Sequence, residues 1–240
     1  MPLTGTLLNA ATVLAGTAIG TLLGARLPDR IRETVMHALG LLTLVVGVEG
    51  ALAAFRPPLS ELTRASAVVV LGSVLVGGIV GELLRIEDGL ERAGEELRRR
   101  VGRSQARFTE GFVTASLVFC VGPLTILGSI RDGLTGDYQL LAIKALLDGF
   151  AAVAFASALG WGVGFSVVTI LLYQGGLSLG AASLAGAFTE VTVAAITAVG
   201  GVLILGIALR LLELRDIRVG NLLPALAVAP LAFAAIRAVG

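Results

Sequence analysis

The 240-residue sequence predicts an all-α, polytopic transmembrane bundle of about eight spans, with one cytoplasmic amphipathic helix between spans. Three observations predict it. Hydrophobic residues make up 56% of the chain and charged residues only 15%, too little polar surface to cover a soluble core of this size. The apolar residues fall in long runs, each near the roughly 20 residues that cross about 30 Å of hydrocarbon as a helix. The arginines fall between those runs in an alternating pattern.

The runs cover residues 3–24, 35–55, 65–84, 110–130, 139–159, 161–179, 187–209 and 219–238. They are too long and continuous for barrel strands, which leaves the helix as the spanning element. The first is not preceded by a basic region and runs on at full length, unlike a cleavable signal peptide. In the fourth, Gly122-Pro123 marks a place to kink or unwind. The fifth and sixth meet at Gly160-Trp161-Gly162-Val163-Gly164, which reads either as a tight turn or as a break in one irregular segment.

Arg26, Arg30 and Arg32 lie in the first loop, and Arg85, Arg92, Arg98, Arg99, Arg100, Arg103 and Arg107 in the third. Arg210, Arg215 and Arg218 lie in or beside the seventh, whereas the alternate loops hold Arg56, Arg64 and Arg131. The positive-inside rule then places odd-numbered loops in the cytoplasm and both termini outside. This parity requires the fifth and sixth spans to be separate.

The whole chain, 1–240, reads as a single integral membrane domain, with 84–107 as a cytoplasmic connector within it. Leu83, Ile86, Leu90, Ala93, Leu97 and Val101 recur at three- and four-residue steps, the spacing of an amphipathic helix. It either lies at the membrane surface and caps the bundle or serves as a solvated connector. Phe108-Thr109-Glu110 recurs as Phe188-Thr189-Glu190, each entering an apolar run, and Gly40-Leu41-Leu42-Thr43-Leu44 resembles Gly122-Pro123-Leu124-Thr125-Ile126. An inverted repeat would produce such matches, and so would coincidence in low-complexity apolar sequence.

Ionisable groups inside apolar spans carry the functional signal, because each costs about 2.5–3.5 kcal/mol at mid-membrane on insertion scales unless paired or hydrated. Lys144 and Asp148 stand four residues apart on one face of the fifth span. They read either as a neutralising pair near the interface or as an ion route in which Asp148 is the ligand and Lys144 its counter-charge. Glu49 is flanked by Gly47 and Gly50; Glu110 and Glu190 stand at span starts, where acids also oppose the helix dipole. Asn9 can bond across helices or offer its oxygen to a cation, and Thr125 adds a hydroxyl beside the Gly122-Pro123 break. Asp148, Lys144, Asn9, Glu49, Glu110, Glu190 and Thr125 are thus the candidate pathway residues. Glu82 is expected to pair locally beside Arg85 or to anchor the interface, Asn221 to cap a helix, and Asp132 to lie in a solvated outer loop.

The 32 glycines include Gly16-Gly20-Gly24 and Gly77-Gly81, whose spacing suits close helix packing, within the chain or between subunits of a homo-oligomer such as a dimer. One cysteine, Cys120, and one histidine, His37, exclude a disulfide framework and a histidine-rich metal site. No Walker loop, HExxH or paired CxxC occurs. Neither enzymatic activity nor a cofactor is expected. The net charge of +1 suggests no nucleic-acid partner, leaving membrane lipids and a small ion or solute.

Asn9-Ala10-Ala11-Thr12-Val13-Leu14-Ala15-Gly16 through Gly24-Ala25-Arg26-Leu27-Pro28 resembles the opening of the YdfK/YqgA-like bacterial membrane proteins. Gly81-Glu82-Leu83-Leu84, Gly133-Leu134-Thr135-Gly136-Asp137, Lys144-Ala145-Leu146-Leu147-Asp148 and Asn221-Leu222-Leu223-Pro224-Ala225-Leu226 are similar, in the same order. The resemblance implies a multi-pass protein of the bacterial inner membrane, in a family of unknown function for which transport is at most a suggested role, with no catalytic residues to carry over. The excess of acidic over basic groups within the spans, Glu49, Glu110, Asp148 and Glu190 against Lys144, makes the leading expectation a secondary transporter or channel for a cation or proton-coupled solute. Its competitor is a scaffold or sensor that binds a partner through the 83–107 helix.

Overall fold

The computed structural model describes residues 3–101, 107–184, 186 and 188–239; Arg103 and the side chains of Arg32 and Pro123 fall outside them. Its helices, in chain order, are α1 (Thr4–Gly24), α2 (Asp29–Ala51), α3 (Leu59–Leu62), α4 (Ser66–Leu84), α5 (Ile86–Val101) and α6 (Phe108–Cys120). They continue with α7 (Pro123–Thr135), α8 (Gln139–Leu159), α9 (Gly162–Leu179), α10 (Ala181–Leu184), α11 (Glu190–Leu211) and α12 (Ala225–Val239). No strand occurs among the described residues.

Among the described residues, seven helical segments are long and apolar enough to cross a membrane, and an eighth crossing results if α6 and α7, bent by 65° at their junction, count as one span. The predicted runs coincide with these segments. The fourth run is the bent pair, and the bend falls at Val121-Gly122, where the expected kink lies. The fifth and sixth runs are separate helices joined by a tight turn. Gly160 ends α8 at φ 78°, a conformation that disfavours a side chain. A Cβ on Gly162 would strike the carbonyl of Phe108, so the start of α9 also needs glycine.

The chain forms two compact units. The first comprises Met1–Leu39, Leu90–Cys120 and Leu124–Ala185; the second comprises Gly40–Gly89, Val121–Pro123 and Gly186–Gly240. In the first, α1 packs on α8 and α9, and α6 on α9 and α8. Gly5 meets Leu141, Gly20 meets Val153 and Gly24 meets Ser157, so α1 and α8 run parallel. Thr6 meets Gln174 and Thr17 meets Gly164, so α1 and α9 run antiparallel. In the second unit, Gly77 meets Ala225 and Gly81 meets Asn221, which sets α4 antiparallel to α12. Gly47 against Leu205 and Gly50 against Gly201 do the same for α2 and α11. Each direction is the one that eight alternating crossings require.

Glycine explains the closeness of these seams. Cβ atoms on Gly16, Gly20 and Gly24 would run into the carbonyl oxygens of Gly149, Val153 and Ser157, and one on Gly81 into that of Asn221. In lipid, association relies on such packing, because hydrocarbon gives apolar side chains no reason to leave it. The Gly16-Gly20-Gly24 and Gly77-Gly81 stripes are therefore used inside the chain. Large apolar residues such as Leu41, Leu42, Val45, Val68, Leu71, Ile143 and Phe150 stand exposed, as lipid-facing helix surfaces do.

The amphipathic helix is α5, beginning after Arg85, whose left-handed φ of 52° ends α4. Glu87 is buried, at 2% exposure, within the second unit. Its carboxylate accepts bonds from the Gly220 N–H (2.5 Å) and from Arg210 Nη1 (2.9 Å), and its own N–H donates to Asn221 Oδ1 (2.8 Å). Glu82 reaches Arg218 Nη1 at 3.0 Å and accepts from Asn221 Nδ2 at 2.6 Å, so its partners are distant in sequence rather than the adjacent Arg85. Asn221 is a cap, as expected, but for α5 rather than for the last span.

Candidate functional site

The first unit gathers polar side chains in the middle of its apolar helices. On α1, Thr6 and Asn9 lie one turn apart on the face that also carries Val13, Gly16 and Thr17, all buried. A helix presents residues three and four apart on the same side, so this face turns inward as one. On α8, Lys144 and Asp148 are adjacent in the same way, with Asp148 the tenth of 21 helical residues. On α9, Gln174 is fully buried and meets the same group.

Lys144 Nζ pairs with Asp148 Oδ2. Asn9 Nδ2 donates to that same oxygen at 2.9 Å and to Gln174 Oε1 at 3.1 Å. Gln174 Nε2 donates onward to Thr6 Oγ1 at 3.3 Å. The Thr12 hydroxyl lies 2.8 Å from the carbonyl of Ala145 and 2.9 Å from that of Asn9, tying α1 to α8 beside the cluster. The side chains of Lys144 and Asp148 are 7% and 13% exposed, and Asn9 is fully buried. Removing two charges from water is costly, and the mutual attraction and added hydrogen bonds offset that cost only in good geometry.

One atom stays unsatisfied. Asn9 Oδ1 is buried without a hydrogen-bond partner. The ionised Asp148 can only accept, which turns the amide so that its NH2 faces the carboxylate and its oxygen faces away. A buried acceptor with no donor costs about 1–3 kcal/mol. Such a group is where water or a ligand is taken up. Cys120, buried on α6, lies within electrostatic reach of Lys144 and Asp148. Among the described residues no three His, Cys, Asp or Glu side chains come together as a metal-binding group.

The other candidate residues lie elsewhere. Glu49 belongs to the second unit, where its side chain is 70% exposed and sits 3.2 Å from Arg56 Nη1. Glu110 opens α6 and binds Arg107 through two contacts, 2.8 and 3.2 Å. Glu190 opens α11, is exposed, and follows Thr189, whose hydroxyl caps the helix by accepting the Thr192 N–H. Thr125 is buried, and its hydroxyl donates to the Phe119 carbonyl at 3.4 Å, bridging the bend around Gly122. Ser129 Oγ donates to the Thr125 carbonyl at 2.6 Å one turn later. Asp132 is not solvated: it is fully buried and its Oδ2 accepts the Leu3 N–H (3.0 Å) at the start of α1. Of the seven candidate pathway residues, Asn9, Lys144 and Asp148 converge.

Gln174 and Thr6 complete the cluster without having been singled out in the sequence. Gln174 carried a usable signal, a lone amide within the apolar run 161–179. Thr6 carried little, because threonine satisfies its hydroxyl on its own helix and is common in spans.

The chain is similar to two curated proteins along almost its whole length. It is 29% identical over 236 residues to "Uncharacterized membrane protein YdfK" of Bacillus subtilis, covering 98% of each chain. It is 33% identical over 230 residues to "Uncharacterized protein YqgA" of Escherichia coli, covering 94% of each. No solved structure matches it. Residues 4–234 match the model of the family described as "Protein of unknown function (DUF554)", and the chain belongs to that family of membrane proteins.

Proposed function

We propose that this membrane protein is a secondary transporter or channel for a small solute, either a cation or a substrate coupled to protons. The observation that carries the reading is the Asn9–Asp148–Lys144–Gln174 cluster, drawn from three helices within apolar spans. A charge pair that served only to pack α8 would need no third and fourth polar partner from other helices. It would also leave no buried amide oxygen without a donor. Ionisable groups at this depth mark ion or proton pathways more often than they mark packing.

The reading includes an orientation, with odd-numbered loops in the cytoplasm, both termini outside, and the bacterial inner membrane as the site of insertion. Its support is the arginine distribution, to which short loops respond strongly. In a Cys120→Ser background, Glu61→Cys should react with an impermeant maleimide on intact cells, and Glu91→Cys only after permeabilisation.

Flux into proteoliposomes across a panel of ions tests the transport itself. Wild type should carry at least one ion, and Asp148→Asn should abolish or sharply reduce its flux. An absence of flux for every ion, with wild type indistinguishable from Asp148→Asn, would remove the proposal.

A further inference from the structure

We propose that Asp148, Asn9 and Gln174 form a site for a monovalent alkali cation, and that the Lys144 ammonium is a tethered stand-in for that cation. The inference rests on the transport reading above and names the ligand of the same site.

The available ligands define the class. Asp148 Oδ2, Asn9 Oδ1, Gln174 Oε1 and the Thr6 and Thr12 hydroxyls are hard oxygen donors, the set that suits alkali and alkaline-earth ions. Divalent ions held within a protein take several carboxylates or retain their waters. Here one carboxylate supplies a single negative charge, and that charge is already matched by one ammonium. The site therefore balances one positive charge.

Lys144 satisfies that balance from within the chain. Its ammonium binds the same carboxylate oxygen that Asn9 binds through its NH2, and in this arrangement Asn9 Oδ1 is left buried with no donor. The ammonium has three donors, yet of these oxygens it bonds only Asp148 Oδ2, whereas a spherical ion at the centre could draw on all of them. When a cation replaces it, a half-turn of the Asn9 amide puts Oδ1 where Nδ2 now stands. That position is 2.9 Å from Asp148 Oδ2 and 3.1 Å from Gln174 Oε1. Three oxygens then face one point, and the orphaned acceptor becomes a ligand. The lysine stem, four carbons long, lets the displaced ammonium move towards water.

The test is thermal unfolding of the purified full chain in detergent against NaCl or KCl, with choline chloride holding ionic strength constant. Lys144→Met keeps the stem and removes the competitor. It should be stabilised by Na+ or K+ with an apparent affinity at least about tenfold tighter than wild type. The double variant Lys144→Met/Asp148→Asn should respond to Na+, K+ and choline alike. Identical curves for Lys144→Met in all three salts would overturn the proposal. If Lys144→Met does not fold, wild type against Asp148→Asn decides: an alkali response in wild type alone supports the site, and matching curves overturn it. Alkali-specific binding without flux would keep the site and sink the transport reading. Flux of a cation whose apparent affinity Lys144→Met leaves unchanged would keep transport and sink the site.

Discussion

Glu87 and Asn221 meet across 134 residues of sequence: the Asn221 side-chain oxygen accepts the Glu87 N–H at 2.8 Å. The Glu87 carboxylate returns the favour by accepting the N–H of Gly220, the residue beside Asn221, at 2.5 Å. This is the reciprocity of a capping box, built between two segments that are remote in the chain. It fixes the start of α5 on the connection between α11 and α12 inside the second unit.

Glu87→Ala should therefore be destabilising. It leaves the Gly220 N–H without its acceptor, and a buried donor left unsatisfied costs about 1–3 kcal/mol, while the part-exposed Arg210 keeps Asp216 at 3.3 Å. Glu87→Gln should cost less, since an amide oxygen still accepts from Gly220. Denaturant unfolding in detergent measures both, and a Glu87→Ala curve superimposed on wild type would contradict the role given to this carboxylate.

The glycine seams give a paired expectation. Gly20→Ala and Gly81→Ala place a methyl against the backbone carbonyls of Val153 and Asn221, and overpacking of this kind costs about 1–3 kcal/mol. Gly89→Ala meets nothing within 4 Å and should stabilise α5 by about 0.5–1 kcal/mol through helix propensity. Melting temperatures of the three variants check the contrast, and equal effects at all three positions would show that the seams are looser than described.

Helix α5 should respond to acid. The Arg98 guanidinium bonded to Glu95, and the Arg100 guanidinium bonded to Glu96, hold both carboxyls below the usual carboxylate range. A depressed carboxyl stabilises the folded helix above its unfolded pKa, and that contribution disappears as pH falls through the folded value. Protection of the amides in 95–101, corrected for intrinsic exchange, should hold from neutral pH to about 5 and decline below about 4. Protection that persists undiminished to lower pH would assign the stability of this segment to packing instead.

The spans were legible because a membrane imposes length and apolarity on contiguous residues, and contiguity is what a sequence displays. The boundaries of α8 and α9 could be read from the glycines around Trp161, and the bend from Gly122-Pro123. Lys144 and Asp148 were legible as a pair because both lie on one helix. Their partners were not, since Asn9 reaches Asp148 across 139 residues of sequence and Gln174 joins through Asn9 across 165. Asp132 misled for the same reason: its charged neighbour Arg131 is exposed, whereas Asp132 is buried and accepts the Leu3 N–H from 129 residues away. Glu82 and Glu87 likewise found their partners in the α11–α12 connection, where no local spacing points.

The notched seam between α1 and α8 also decides what can move. Each of Gly16, Gly20 and Gly24 seats a carbonyl of the facing helix, so a slide of a few ångströms along the axis would drive neighbouring side chains into that backbone. The two helices behave as one rod, and the Asn9–Asp148 spacing is built into its construction. Gln174 stands on α9, outside the rod. A rearrangement around Asp148 is thus a matter of α9 and α6 shifting against the rod, with Asn9 and Asp148 carried together.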